Sequence, residues 1–175
     1  MSLSNGALFL NSGSVTFTND GPLSNDGSFL NYGTFQQNGN GVFNNNATGV
    51  FINFGNITNV GNFTNNGTVE NFGSLTNAST YTNNNGITTN CGQFINTFVS
   101  TLNNFSGATF QNKAGSQLFI DQNFNNAGTF NDDGSTTVNA SGAVFNTNVM
   151  NLNGCLLYTS PSPRDATLSR MPSSA

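Results

Sequence analysis

The sequence predicts an all-β fold: a parallel β-helix (β-solenoid) with three short strands per coil. Three observations predict it. First, Asn53–Thr82 reads as five successive units of the form N-x-G-x-Φ-x, with Ser79 in the Gly place of the last and Ile57, Phe63, Val69, Leu75 and Tyr81 as Φ. One large apolar residue in six does not match the i, i+3, i+4, i+7 spacing of an amphipathic helix. Second, Asn makes up about a fifth of the 175 residues, against a few per cent in ordinary globular chains. Asn, Gly and Thr are poor helix formers, so the helix reading fails on propensity as well. Third, the 17 Phe recur at regular intervals, whereas a disordered polar tract is poor in aromatics.

The physics of one unit follows from these residue types. Φ sits on a short strand and points inward, and its neighbours, mostly Thr, Ser and Asn, point outward by two-residue alternation. Gly then turns the chain through φ > 0, a region that Asn also tolerates. Three units close a triangular coil. A single coil cannot bury its Φ residues, so coils must stack on one another. Asn side chains at equivalent turns are then placed to form amide ladders from coil to coil.

Along the chain, the same unit precedes the central run as NDGPLS, NDGSFL and NYGTFQ, and follows it in shifted frame as CGQFIN and AGTFND. Longer units, NSGSVTFT, NNATGVFI and NKAGSQLFID, interrupt it. Summed from Asn11, the units predict roughly 18–22 residues per coil and about seven coils up to Gly154.

At Gly154 the composition breaks: Cys155–Ala175 contains no Asn, Gly or Phe. CLLYTSPSPRD, Cys155–Asp165, resembles the translation of the adapter DNA used in transposase-based sequencing libraries. SRMPSSA, Ser169–Ala175, resembles the adapter segment beyond the sample index, and Ala166–Leu168 fit the gap between the two. Residues 155–175 are therefore expected to be a non-native, disordered tail, and 1–154 a solenoid piece truncated at both termini.

Charge narrows the function classes. The formal net charge is −4, and up to Gly154 the only cation is Lys113, against Asp20, Asp26, Glu70, Asp121, Asp132 and Asp133. That surface does not fit a phosphate backbone, so nucleic acid is not expected as a partner. No apolar run is long enough for a membrane span, and no secretory signal precedes the repeat. Cys91 and Cys155 make neither a disulfide framework nor a metal pair, and Cys91 reads as a small residue beside a turn Gly.

No catalytic, cofactor or metal residue is assigned, and the chain is read as not an enzyme. Hydrolysis of a glycosidic bond needs converging carboxylates. Asp132–Asp133 is the only acidic pair, and adjacent strand residues face opposite ways. As a Ca²⁺ site the pair would need backbone carbonyls as further ligands. Sequons occur at Asn46, Asn56, Asn62, Asn66, Asn77, Asn104 and Asn139, which chance alone produces in a chain this rich in Asn and Thr. Tyr32, Phe54 and Phe72 follow the unit Asn and are expected to be exposed, as a partner surface or a corner cover.

The N-x-G-x-Φ-x units of Asn53–Thr82, with their looser copies over residues 5–154, resemble the β-helical repeat regions of secreted bacterial surface proteins, namely filamentous-haemagglutinin-like adhesins and autotransporter passengers. The resemblance implies a right-handed coil, export to the cell surface, and a stalk or adhesive role toward glycans or proteins of a host or neighbouring cell, or toward other copies. A strict hexapeptide run also suits a left-handed coil like that of the hexapeptide acyltransferases, which the long units and Phe-rich core fit poorly. The alternatives are an ice-binding solenoid, on the row Thr58, Thr64, Thr76 and Thr82 interrupted by Glu70, and non-catalytic coils of a polysaccharide-degrading β-helix enzyme or phage tail protein.

Overall fold

The computed structural model describes residues 1–139 and 145–158. It is a parallel β-solenoid whose described residues contain no helix. Three flat faces wind about one core. The first stacks Ser2–Leu3, Pro22–Asn25, Val42–Asn45, Asn62–Asn65, Thr80–Asn83 and Thr101–Asn104. The second stacks Leu8–Asn11, Ser28–Asn31, Val50–Asn53, Thr68–Asn71, Ile87–Asn90 and Thr109–Asn112. Asn123–Asp132 then crosses from the first face to the second, and Phe145–Leu152 repeats that path above it. The third runs from Thr16–Asn19 through Thr34–Gln37, Asn56–Asn59, Ser74–Asn77, Gln93–Asn96, Gln117–Ile120 and Ser135–Val138 to Cys155–Tyr158. The stack makes about seven turns, which at about 4.8 Å per step gives a rod of roughly 34 Å.

Almost every strand is four residues long, and its second and fourth residues point inward. The second is the apolar residue of the unit. Leu23, Phe43 and Phe63 on the first face, Phe29, Phe51 and Val69 on the second, and Phe35, Ile57 and Leu75 on the third meet in the core. The fourth is Asn, and Asn31, Asn53, Asn65, Asn71 and Asn77 are wholly buried. Sequence reasoning placed the Asn ladders at the turns; they lie inside, one residue before each corner.

Coil length varies only at the corners. Asn56 pairs with Ser74, 18 residues on, across corners of two residues each, such as Val60–Gly61. Gln93 pairs with Gln117, 24 residues on, across corners of four. The range is therefore wider than the expected 18–22. Four-residue corners close a turn hydrogen bond, as in Ala7 N–H to Ser4 O at 2.9 Å and Ser116 N–H to Lys113 O at 3.0 Å. Their third residue takes positive φ at Gly6 (81°), Gly107 (89°), Gly115 (84°) and, without the glycine, Val99 (71°).

The short corners correct the sequence reading of their glycines. Among the described residues, no two-residue corner has a glycine at positive φ. At corners with a coil beneath, most such glycines are needed because the backbones of successive coils touch, whereas a Cβ on Gly21 would meet nothing within 4 Å. A Cβ on Gly73 would lie 2.1 Å from the Gly55 carbonyl oxygen, and the Gly33 oxygen stands in the same relation to Gly55.

The break at Gly154 also reads differently in three dimensions. Cys155–Tyr158 is a strand paired in register with Ser135–Val138, and Leu156 packs against the core. The expectation of disorder therefore fails for these four residues. An exposed sheet edge accepts any segment able to pair its backbone and turn an apolar side chain inward. The rest of the expected tail lies outside the described residues.

Candidate functional site

The feature that most distinguishes this chain is its interior amides. On the second face, Asn11 Nδ2 donates to Asn31 Oδ1 (2.7 Å), Asn31 to Asn53 (2.7 Å), Asn53 to Asn71 (2.7 Å), Asn71 to Asn90 (2.9 Å), Asn90 to Asn112 (2.8 Å) and Asn112 to Asp132 (2.8 Å). On the first face, the column runs from Asn25 through Asn45, Asn65, Asn83 and Asn104 to Asn126. The same Nδ2 reaches a main-chain carbonyl at the start of the next strand in the coil above, as from Asn45 to Thr68 O at 2.9 Å. Each amide therefore ties two faces of the coil above it to its own coil. A buried amide without partners costs about 1–3 kcal/mol, so the bonding along each column is what allows so much polar matter in a core; Asp132 Oδ2, at the end of the second-face column, is buried without a partner.

The third face has a defect. Gln37 replaces Asn, and its longer side chain donates to Gly41 O and Asn62 O instead of to Asn59. Gln37 Oε1 and Asn59 Oδ1 are left buried without a partner. The column resumes from Asn59 to Asn77 (2.8 Å) and Asn96 (2.8 Å), then gives way to Ile120 and Val138.

The acidic residues are absorbed by the same logic. At the corners, Asp20 accepts from Asn38, Asp26 from Asn46 (2.8 Å), Asp121 from Asn139 (2.8 Å) and Asp133 from Asn153 (2.9 Å). The pair Asp132–Asp133 is split: Asp132 is buried at the end of an amide column, while Asp133 is exposed on a corner. Among the described residues, no group of three or more His, Cys, Asp or Glu is gathered for a metal ion.

Tyr32, Phe54 and Phe72 do come together. They occupy one corner in consecutive coils, half-exposed, with ring centroids 4.8 and 5.2 Å apart and planes within 12° and 10°. Stacked this way, Phe54 lies between the other two rings, so no flat ligand fits between neighbours of the stack. Cys91 takes the next place in that column. Burial first, and the Glu70 carboxylate second, raise its thiol above the ordinary range, with Lys113 opposing them. The thiol is thus disfavoured as a nucleophile.

The expected Thr row does not form. Thr58 pairs with Thr76 on the third face, and Thr64 with Thr82 on the first. Units six residues apart fall on different faces, so a row requires the coil period. What the first face does hold is a charge-free outer surface, with Thr64, Thr80, Thr82 and Thr101 beside Asn44, Asn62 and Asn103. Of the sequons, Asn77 and Asn104 are buried in ladders, which closes them to modification in the folded chain.

Two surface features escaped sequence reasoning. Leu10, Leu30 and Ile52 point outward in one row of the second face, against the usual Thr or Asn, and the stacked Tyr32 and Phe54 follow Leu30 and Ile52 by two residues, at the corner just past each strand. Phe98 (70% exposed) and Val99 (76% exposed) project from a four-residue corner. Counting back one residue from Asn11, Asn31 and Asn53 reveals the first; nothing in the sequence marks the positive φ of Val99. No helix of the described residues is long and apolar enough to cross a membrane. No family model, curated protein or solved structure matches the chain.

Proposed function

We propose that this chain is a structural segment of an exported cell-surface protein, a rod that spaces or presents adhesive surfaces rather than carrying out a reaction. The observation that supports this reading is the unbroken amide column from Asn11 to Asp132, which ties successive coils into one stiff body. The partners proposed are glycans or proteins of a host or neighbouring cell, and further copies of the rod. Recovering the complete gene tests it. A secretion signal together with a translocator barrel or wall anchor supports the reading, and converging carboxylates in neighbouring coils would replace it with a polysaccharide-degrading enzyme. Resequencing the same locus tests the reading of 155–175 as library-derived, which rests on the resemblance of both flanks and their spacing.

A second reading, an ice-binding solenoid, is favoured by one observation, the charge-free first face with its Thr64/Thr82 and Thr80/Thr101 pairs. Thermal hysteresis of the purified chain decides it: activity abolished by Thr82→Lys supports ice binding, and none at millimolar protein removes it.

A further inference from the structure

We infer that Asn5 is a site of spontaneous covalent self-modification, deamidation through a succinimide, and that the fold confines this chemistry to Asn5 among six Asn-Gly pairs. The pairs begin at Asn5, Asn38, Asn40, Asn66, Asn85 and Asn153. In each, the glycine amide nitrogen must lose its proton and attack the Asn Cγ. The new N–Cγ bond closes the succinimide, and the side-chain nitrogen leaves as ammonia. Water then opens one of the two ring carbonyls, giving aspartate or isoaspartate. The net change is amide plus water to carboxylate plus ammonium, with no other reactant.

A nitrogen whose N–H is held in a hydrogen bond is not available for that step. Gly41 N–H donates to Asn38 O (2.8 Å), Gly67 N–H to Asn65 Oδ1 (3.1 Å) and Gly154 N–H to Asp132 O (2.8 Å), which protects Asn40, Asn66 and Asn153. The Asn38 side chain is held on both sides, accepting from Gln36 (3.1 Å) and donating to Asp20. Gly86, beside Asn85, is buried and so closely walled that a Cβ on it would lie 2.5 Å from both Asn65 Nδ2 and Gly67 O, which obstructs the backbone rotation that brings nitrogen to Cγ. Asn5 alone has none of these restraints. It is exposed on the corner Ser4–Ala7, no acceptor lies on the Gly6 N–H, and a Cβ at Gly6 would meet nothing within 4 Å.

The product suits its place. Isoaspartate lengthens the backbone by one methylene, but corners already vary in length while the strands keep register. The formal charge moves from −4 to −5, beside the corner that carries Asp26.

The test is to incubate the full chain at mildly alkaline pH, folded and in urea, with peptide mass spectrometry at all six sites and isoaspartate labelling by its repair methyltransferase. The expected result is conversion at Asn5 at least about tenfold faster than at each of Asn38, Asn40, Asn66, Asn85 and Asn153 in the folded chain, with that lead lost in urea. Equal rates at any of these sites in the folded chain would overturn the inference. So would an Asn5 lead that persists in urea, or an inert Asn5 in a folded chain whose unfolded form reacts.

Discussion

At Gln37 a single extra methylene interrupts a column of amides. Two buried oxygens lose their donors there, Gln37 Oε1 and Asn59 Oδ1. Gln37→Asn should restore the bond to Asn59 and stabilise the chain by about 1 kcal/mol, seen as a higher urea midpoint at unchanged slope. Val99 is a β-branched residue at φ 71°, a conformation that favours glycine. Val99→Gly should therefore raise stability by about 1 kcal/mol in the same titration, and a loss would show that the exposed side chain makes contacts that outweigh the backbone cost. The corner glycines divide cleanly. Gly73→Ala sets a methyl into the Gly55 carbonyl and should cost at least about 2 kcal/mol. Gly39→Ala meets nothing within 4 Å at an ordinary φ and should be neutral or stabilising by a few tenths of a kcal/mol. Before the structure, all these glycines looked alike. Spacing identifies a corner, but what faces each corner glycine depends on the coil beneath it.

For a strand, register is set by its Asn more than by its hydrophobe. In Ile87–Asn90, alternation judged by hydropathy alone would turn Ile87 inward. Instead Asn90 lies between Asn71 and Asn112, so Thr88 points in and Ile87 is half-exposed. The core accommodates that hydroxyl because Tyr81, where other coils carry Phe or Leu, places its Oη 2.8 Å from Thr88 Oγ1. Burial pushes the Tyr81 hydroxyl well above its ordinary ionisation range, with the Thr88 bond opposing. Below about pH 10 both folded and unfolded chains keep that proton, and there is no effect. Above it only the unfolded chain ionises, so stability should fall by about 1.4 kcal/mol per pH unit from this residue. Tyr81→Phe should remove that alkaline slope in denaturation curves taken between pH 9 and 11; an unchanged slope would place its origin elsewhere. The three-strand coil, the inward Φ residues and the amide ladders were legible from a six-residue period. The partnership of Tyr81 with Thr88 was not, since it joins two faces through the core.

Across the whole rod, stability is a sum over neighbouring coils, so position along the axis matters. Asn71→Ala removes the acceptor of Asn53 and the donor to Asn90, and should cost about 3 kcal/mol. Asn126→Ala, at the end of its column, removes the acceptor of Asn104 and a bond to Val149 O, and should cost about half as much. Equal losses in urea titrations would argue against coil-by-coil additivity. The sequence reading of the surface was less successful than that of the core, and the reason is geometric. Residues six apart occupy different faces, so Thr58 and Thr64 looked like neighbours and are not, while Leu10, Leu30 and Ile52, far apart in the chain, form one row.

Every interior amide hydrogen bond between coils runs the same way, from the earlier coil to the later. The side-chain dipoles therefore add along the axis, as peptide dipoles do in a helix. The rod acquires an electrical direction, negative toward its first coil and positive toward its last. Asp132 closes the second-face column at its later end, its Oδ1 accepting from Asn112. A molecule built from near-identical coils is in this way given a front and a back.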